Sequence, residues 1–318
     1  LESFSAKRAA IIYNPVARTL SRSQHLLQRI IETLNRQGIE AALVGTTGPG
    51  SAAVQAKRQI DAGCDLILAA GGDGTINEVA NGMIHSGVPL AIIPCGTANV
   101  LARETHIPIN MLSAAQAISQ MAPTRIAIGM LRLGSFAQRS FLCMAGAGLD
   151  AEIVCHLNLD LKAAVGKLAY YIGGFSQVFR PVAEFEVCVD GTPYEASFAL
   201  ISRVRNYGGD LEIARGASLL RNEFQIVLFR GKHSLRYLSY LAAVGLRLAE
   251  RVSGCTFVYG RHVTCRPTNG AGIFAQVDGE LAGKLPILAE IVPDALTLLL
   301  PAAFVAKERS AIEVRACA

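Results

Sequence analysis

Two glycine-rich loops, a little over twenty positions apart, constrain this chain more than any other feature. The first is Gly71-Gly72-Asp73-Gly74-Thr75 and the second is Pro94-Cys95-Gly96-Thr97-Ala98-Asn99. Each follows a short apolar run that reads as a buried strand, Asp65–Ala70 and Val88–Ile93, and each precedes a helical pattern. Glycine at a strand-to-helix corner lets the backbone come close to a ligand, and the N–H groups that open the helix then face an anion. Two such corners on neighbouring strands predict a nucleotide phosphate site. A plain turn, with Asp73 capping the following helix, would use the same residues. Repetition of the loop after the next strand favours the phosphate reading. Neither loop is a Walker A or a G-x-G-x-x-G sequence.

The flanking grammar is that of an open α/β layer. Ala9–Tyr13 and Ala41–Val44 are continuous apolar runs, as buried parallel strands are. Leu26, Leu27, Ile30, Ile31 and Leu34 repeat at helical spacing, and Gly38 ends that helix. Val54–Ile60 reads as a second helix, stopped by Gly63. After Gly74, the residues Ile76, Val79, Ala80 and Met83 form one apolar stripe. In such layers ligands bind at the carboxyl ends of the strands.

Beyond about residue 130 the pattern becomes antiparallel. Phe185, Val187 and Val189 alternate with polar neighbours, Asp190-Gly191 turns the chain, and Tyr194, Ala196, Phe198 and Leu200 alternate back. Further strands are predicted at Gln225–Phe229, Thr256–Tyr259, His262–Cys265, Ile273–Val277, Ile287–Ile291 and Leu296–Leu300, with helices near 159–179 and 234–252. The fold expected is an α/β nucleotide-binding domain with an open, mostly parallel sheet over residues 1–130. A β-rich, antiparallel sandwich-like domain follows over 131–301, and 302–318 is a C-terminal segment packing back on the first domain.

Composition narrows the function classes. Hydrophobic residues make up 51% of the 318 and charged residues 17%, which suits an enzyme that meets lipid. No run reaches the ~18 apolar residues of a membrane span, and residues 1–20 lack a signal-peptide pattern. The eight cysteines form no C-x-x-C pair, which argues against zinc and redox chemistry and for a cytoplasmic protein. The net charge of +5 suits ATP or anionic headgroups, and the absence of an aromatic-interleaved arginine run excludes nucleic acid as a partner.

Five motifs in order now resemble the diacylglycerol kinase catalytic domain family, which includes bacterial lipid kinases and the sphingosine and ceramide kinases. They are Asn14-Pro15; Gly71–Thr75 with Ile76-Asn77-Glu78-Val79; Pro94–Asn99 with Leu101-Ala102-Arg103; Ala145–Glu152 followed by Lys162–Tyr171; and Asp278-Gly279-Glu280. The resemblance implies an ATP- and Mg²⁺-dependent kinase acting on a hydroxyl of a neutral lipid such as diacylglycerol. It implies that Asn14, Thr46, Gly71, Gly72, Asp73, Gly74, Thr75, Asn77 and Thr97 bind nucleotide, with Thr46 or Thr47 in the threonine role. Asp73 would also reach metal through water. Asp278 and Glu280 are the implied catalytic pair, either of them the base, in an active cleft between the domains. The Asp190-Gly191 turn is a similar dipeptide with no implied chemistry. A sphingoid- or ceramide-type kinase, a NAD kinase and a degenerate lipid-binding protein are the rival readings. The expected partners are the lipid, an anionic membrane surface met peripherally, and a second copy of the chain in a homodimer.

The chain departs from that family in three places. Val16-Ala17-Arg18 stands where a Ser-Gly loop is usual, and Val100-Leu101 where Asp-Phe is frequent. Leu219-Leu220-Arg221-Asn222-Glu223 replaces an Asp-Asp-Gly run that holds a structural Mg²⁺ in many bacterial relatives. Asn222 and Glu223 could supply oxygens there, but Arg221 opposes a cation. Leu235–Val252, with Arg236 and Arg247, fits either a core helix or one lying on an anionic membrane. Leu159–Phe179 fits an acyl-chain wall or core packing equally.

Overall fold

The computed structural model describes residues 5–17, 24–134, 137–149, 151, 182–208, 211–231, 235–246, 248–268 and 272–316. Arg18, Asp150, Glu152, the 159–179 segment with Lys162–Tyr171, Lys232 and Arg247 lie outside them. The chain divides into two compact units, residues 1–127 with 293–318, and residues 128–292.

In the first unit, strands and helices alternate as β1 (Arg8–Tyr13), α1 (Gln24–Arg36), β2 (Glu40–Gly45), α2 (Ser51–Asp61), β3 (Leu66–Gly71), α3 (Asp73–Met83) and β4 (Pro89–Pro94). Short helices α4 (Val100–Glu104) and α5 (Met111–Ala117) follow. The sheet order is β2-β1-β3-β4, all parallel, and the end of a later strand pairs in parallel with β4 through Thr297 and Leu298. The apolar runs of β1, β3 and β4 are buried along their lengths because helices cover both faces of a parallel sheet. Edge strand β2 has no buried residue. Leu27, Ile30 and Leu34 of α1, and Ile76, Val79, Ala80 and Met83 of α3, are buried as their spacing predicts. The C-terminal helix (Ala302–Ala316) belongs to this unit, where the ring of Phe304 meets that of His106 at 5.9 Å.

The second unit takes in the end of β5 (Met121–Leu133), then β6 (Ala137–Phe141), β7 (Met144–Gly148), β8 (Phe185–Val189), β9 (Thr192–Ala196) and β10 (Phe198–Ser202). A small pair, β11 (Asn206–Tyr207) and β12 (Leu211–Glu212), leads to β13 (Phe224–Phe229) and helix α6 (Leu235–Gly245). The chain continues through β14 (Cys255–Gly260), β15 (His262–Pro267), β16 (Phe274–Val277), β17 (Glu280–Lys284) and β18 (Ile287–Pro301). One antiparallel sheet runs β14-β13-β10-β7-β16-β17, and another sets β9, β8, β15 and the start of β18 side by side. Phe141, Ala145, Val187, Ile201, Phe224, Val263, Val277 and Ile287 bring both sheets into one buried core. Phe141 stacks on Phe224 at 5.5 Å.

Two strand expectations are corrected. The return strand expected through Tyr194–Leu200 is two strands in different sheets, β9 and β10, parted at Ser197. The buried Ser197 hydroxyl donates to Gly231 O at 2.7 Å and its N–H to Phe229 O at 2.9 Å, which anchors the crossing. The strands expected at Ile287–Ile291 and Leu296–Leu300 are the single 15-residue β18. Pro293 interrupts the apolar run without ending the strand, and the next residue, Asp294, turns left-handed at φ 47°. Its carbonyl accepts from the Arg125 guanidinium, which also donates to Thr297 Oγ1 at 3.1 Å.

Candidate active site

Chain order decides where a ligand can enter the first unit. From β2 the chain steps across β1 to β3, so the connections after β1 and β3 leave in opposite directions and open a crevice at the carboxyl edge. Tyr13 lies opposite Gly45 and Ala70, and Gly71 lies opposite Pro94. Asn14, Thr46, Gly72–Thr75 and Thr97, which follow β1, β2, β3 and β4, are therefore brought to that one edge. Asn14 folds its loop locally, its Oδ1 accepting Val16 N–H at 3.1 Å. Thr46 extends the β1–β2 ladder by donating its N–H to Tyr13 O at 2.9 Å. Thr47 instead donates to Ser51 Oγ in the next turn. Thr97 is exposed, whereas Thr75 and Asn77 are half-buried on α3.

The two glycine loops abut backbone to backbone. A Cβ on Gly96 would lie 2.6 Å from Gly72 Cα, and one on Gly71 would lie 2.5 Å from Thr75 Cβ. Only glycine permits this approach. Cys95 N–H donates to Gly71 O at 2.9 Å, continuing the strand pairing into the loops. Asn99, in the left-handed region at φ 47°, closes the second loop on itself. Its Oδ1 accepts Gly96 N–H and its Nδ2 donates to Gly96 O, both at 2.9 Å. The Cys95 thiol, pushed up to about 12 by burial, is no nucleophile at neutral pH.

Asp73 ties the loops together. Its carboxylate does not cap its own helix, α3, and Gly72 takes the N-cap position without a side-chain bond. Asp73 Oδ1 instead accepts Leu101 N–H, at 3.4 Å, from the first turn of α4. Burial raises the Asp73 pKa above the ordinary carboxylate value, against the lowering effect of the backbone N–H groups of Leu101, Val100, Asp73 and Asn99. A carboxylate so engaged fits contact with metal through water better than direct ligation. Among the described residues no three His, Cys, Asp or Glu side chains form a metal cluster.

In the second unit, Asp278-Gly279 is the two-residue turn of the β16–β17 hairpin, with φ of 47° and 81°. The two predicted carboxylates lead different lives. Asp278 is half-buried and both its oxygens accept backbone N–H groups: Oδ2 from Leu142 at 3.0 Å, and Oδ1 from Cys143 at 3.0 Å and Met144 at 2.8 Å. Glu280 is exposed. Its Oε2 meets Arg139 Nη2 at 2.7 Å, and its Oε1 has no hydrogen-bond partner among the described residues. Arg139 Nη1 also donates to Leu281 O at 3.2 Å, so the guanidinium holds the start of β17 at two points. Sequence reasoning missed Arg139. It is a lone arginine in Ala137–Phe141, outside every motif, and its partner lies 141 residues away.

The Leu219–Glu223 loop does not fit a structural metal. Glu223 Oε1 is paired with Arg221 at 2.7 Å. The fully buried Arg203 guanidinium donates to Leu219 O at 2.6 Å and Arg221 O at 3.0 Å, so two carbonyls of the loop and one Glu223 oxygen already face a cation. Burial lowers the Arg203 pKa to about 10, still well above neutral pH.

A parallel sheet whose glycine loops meet at its carboxyl edge, followed along the chain by an antiparallel sandwich, is the build of a two-part phosphotransferase. Residues 8–131 match the diacylglycerol kinase catalytic domain model, and residues 143–300 match the YegS C-terminal NAD kinase beta sandwich-like domain model. A diacylglycerol kinase of Bacillus subtilis (strain 168) is 32% identical over 287 residues, covering 88% of this chain and 92% of that protein. A diacylglycerol kinase of Staphylococcus aureus (strain MRSA252) is 29% identical over 285 residues, covering 88% of each. Among solved structures, a crystal structure from Bacillus anthracis str. Sterne superposes with a TM-score of 0.80 at 22% identity, covering 95% of this chain and 97% of that one. A diacylglycerol kinase from the same organism superposes with a TM-score of 0.76 at 22% identity, covering 94% and 99%. This chain belongs to the diacylglycerol kinase family, and its enzyme class is that of the lipid kinases.

Proposed function

We propose that the protein transfers the γ-phosphoryl group of ATP to a hydroxyl of a neutral lipid such as diacylglycerol. The observation that carries this reading is the backbone contact of the two glycine loops at the carboxyl edge of β3 and β4. There α3 begins at Asp73 with no side chain capping its first turn, which leaves its N-terminal N–H groups available to an anion. Phosphoryl transfer asks little covalent chemistry of a protein and depends on positioning and charge stabilisation. Gly72, Gly74 and Thr75 cradle phosphate through backbone N–H groups. Asn14, Thr46, Asn77 and Thr97 border the same nucleotide, and Asp73 holds the two loops in register. Asp73 is the residue that would orient the water shell of a Mg²⁺ ion arriving with ATP, which would supply positive charge against the phosphates.

On the second unit, Glu280 takes the proton of the acceptor hydroxyl. Its Oε1 is open while Arg139 orients the carboxylate through Oε2, which a general base requires. Membrane contact is assigned to α6 and the turn that follows it. Tyr240, Ala243 and Val244 are buried on one side of this helix, while Leu246, just beyond its end, is 71% exposed and Arg236 is exposed. No helix of the described residues is long and apolar enough to cross a membrane.

The test is incubation with γ-labelled ATP and Mg²⁺ against diacylglycerol, monoacylglycerol, sphingosine, ceramide and NAD. Label in phosphatidic acid is the expected result. Label on a sphingoid base or ceramide moves the substrate within the family. Label on NAD would favour the reading suggested by the name of the second matched domain. No labelled product at all would point to a lipid-binding protein.

A further inference from the structure

The chain contains two Asp-Gly hairpin turns, and each side chain is placed in the same way. Asp190 has φ 46° and Asp278 φ 47°, each followed by a left-handed glycine. Asp190 N–H donates to His262 O at 2.9 Å, and Asp278 N–H donates to Met144 O at 2.9 Å. In return, His262 N–H donates to Asp190 Oδ1 and Met144 N–H to Asp278 Oδ1, both at 2.8 Å. The residue before each, Arg261 or Cys143, gives its N–H to the same carboxylate. His262 and Met144 are the first residues of β15 and β7, the strands beside each hairpin, and pairing continues at Val189–Val263 and Val277–Ala145. No motif assigns chemistry to Asp190-Gly191, so the shared arrangement is a latch that fixes a hairpin tip to the start of its neighbouring strand.

We propose that Asp278 is a positioning residue built on this latch, acting through the Arg139–Glu280 pair. The inference rests on Glu280 as the proton acceptor. The Leu142-Cys143 bend that Asp278 grips, together with the start of β7, directly follows β6, which carries Arg139, and the hairpin that Asp278 belongs to delivers Glu280 at the first position of β17. Asp278 accepts a third N–H, that of Leu142, which gives it a firmer hold than Asp190. Asp278 thus fixes the spacing between the guanidinium and the carboxylate it orients. With both oxygens engaged by the backbone, it takes no proton from substrate.

Asparagine discriminates the two roles, because it keeps an acceptor oxygen for Cys143 and Met144 but has no useful basicity. Asp278→Asn should keep about a tenth of wild-type kcat, with an unshifted pH profile of kcat/KM and a lowered Tm. Asp278→Ala should lose far more, and Glu280→Gln should fall by at least about a thousandfold at wild-type Tm, within the range that a lost general base sets. Asp190→Asn should lower Tm and leave kcat alone. Amide exchange should quicken at least tenfold at Leu142–Met144 in Asp278→Asn, and at Arg261–His262 in Asp190→Asn. Asp278→Asn as inactive as Glu280→Gln, with unchanged Tm and unchanged exchange at Leu142–Met144, would overturn the proposal. The exchange measurement needs no turnover. A wild-type protein inactive on every lipid would sink the function while exchange still judged the latch.

Discussion

Replacing Gly96 with alanine is the sharpest probe of the phosphate edge. The new Cβ would sit 2.6 Å from Gly72 Cα and 2.9 Å from Asn99 Oδ1. Carbon atoms rest at about 3.5–4.0 Å, so the loops must part by about 1 Å. Neither side yields easily. Gly71 O is held by Cys95 N–H, and Asn99 is bonded twice to Gly96 itself. Overpacking of this kind costs about 1–3 kcal/mol. A misplacement of about 1 Å around reacting groups costs on the order of 100-fold in rate. Gly96→Ala should therefore weaken Mg·ATP binding by at least about tenfold, or about 1.4 kcal/mol, in a calorimetric titration. Turnover should fall further than affinity. Gly45→Ala is the matched control, because its Cβ would meet the Tyr13 ring at 3.7 Å, an ordinary contact. If Gly96→Ala kept wild-type affinity, turnover and Tm while Gly45→Ala behaved the same, the close approach of the two loops would have no part in nucleotide binding.

Asp73 gives a pH signature. Burial raises its folded pKa above the ordinary carboxylate value of 3.8, so the native state holds its proton more tightly than the unfolded one. The contribution of this group to stability therefore falls as pH climbs from 3.8 through the folded pKa, and is level above it. Asp73→Asn should remove that slope in thermal melts from pH 4 upward and raise Tm at neutral pH, while weakening Mg·ATP binding; an unchanged slope would refute the assignment. Arg203→Met should cost about 1–3 kcal/mol in urea denaturation for each of the two carbonyls it strands. A metal chelator should leave the melting of the wild-type second unit unchanged, and a fall in Tm on chelation would overturn the reading of the Leu219–Glu223 loop. Leu246→Ser should reduce sedimentation with phosphatidylglycerol vesicles severalfold at unchanged Tm.

Local information carried the sequence reading as far as dihedral preference and burial period reach. The runs at Ala9–Tyr13, Leu66–Ala70 and Leu90–Ile93 announce buried parallel strands, and the stripe of Ile76, Val79, Ala80 and Met83 announces its helix face. Glycine and threonine at the ends of those strands mark the strand-to-helix corners of the first unit from sequence alone, because such a corner is a local object. The Asp-Gly turns were equally legible as turns. Ser197, by contrast, sits in an unbroken alternating pattern, and nothing local says that the chain changes sheets there.

Tertiary structure decided what each polar atom faces. The partner of Asp73 lies 28 residues away, those of Asp278 between 134 and 136, and that of Glu280 is an arginine 141 residues back. Sequence spacing fixes which side of an element a group leaves from, but a lone pair is satisfied by whichever donor the folded chain brings within about 3 Å. That is why the two glycine corners could be read from the sequence, while the different partners of Asp278 and Glu280 needed the folded chain.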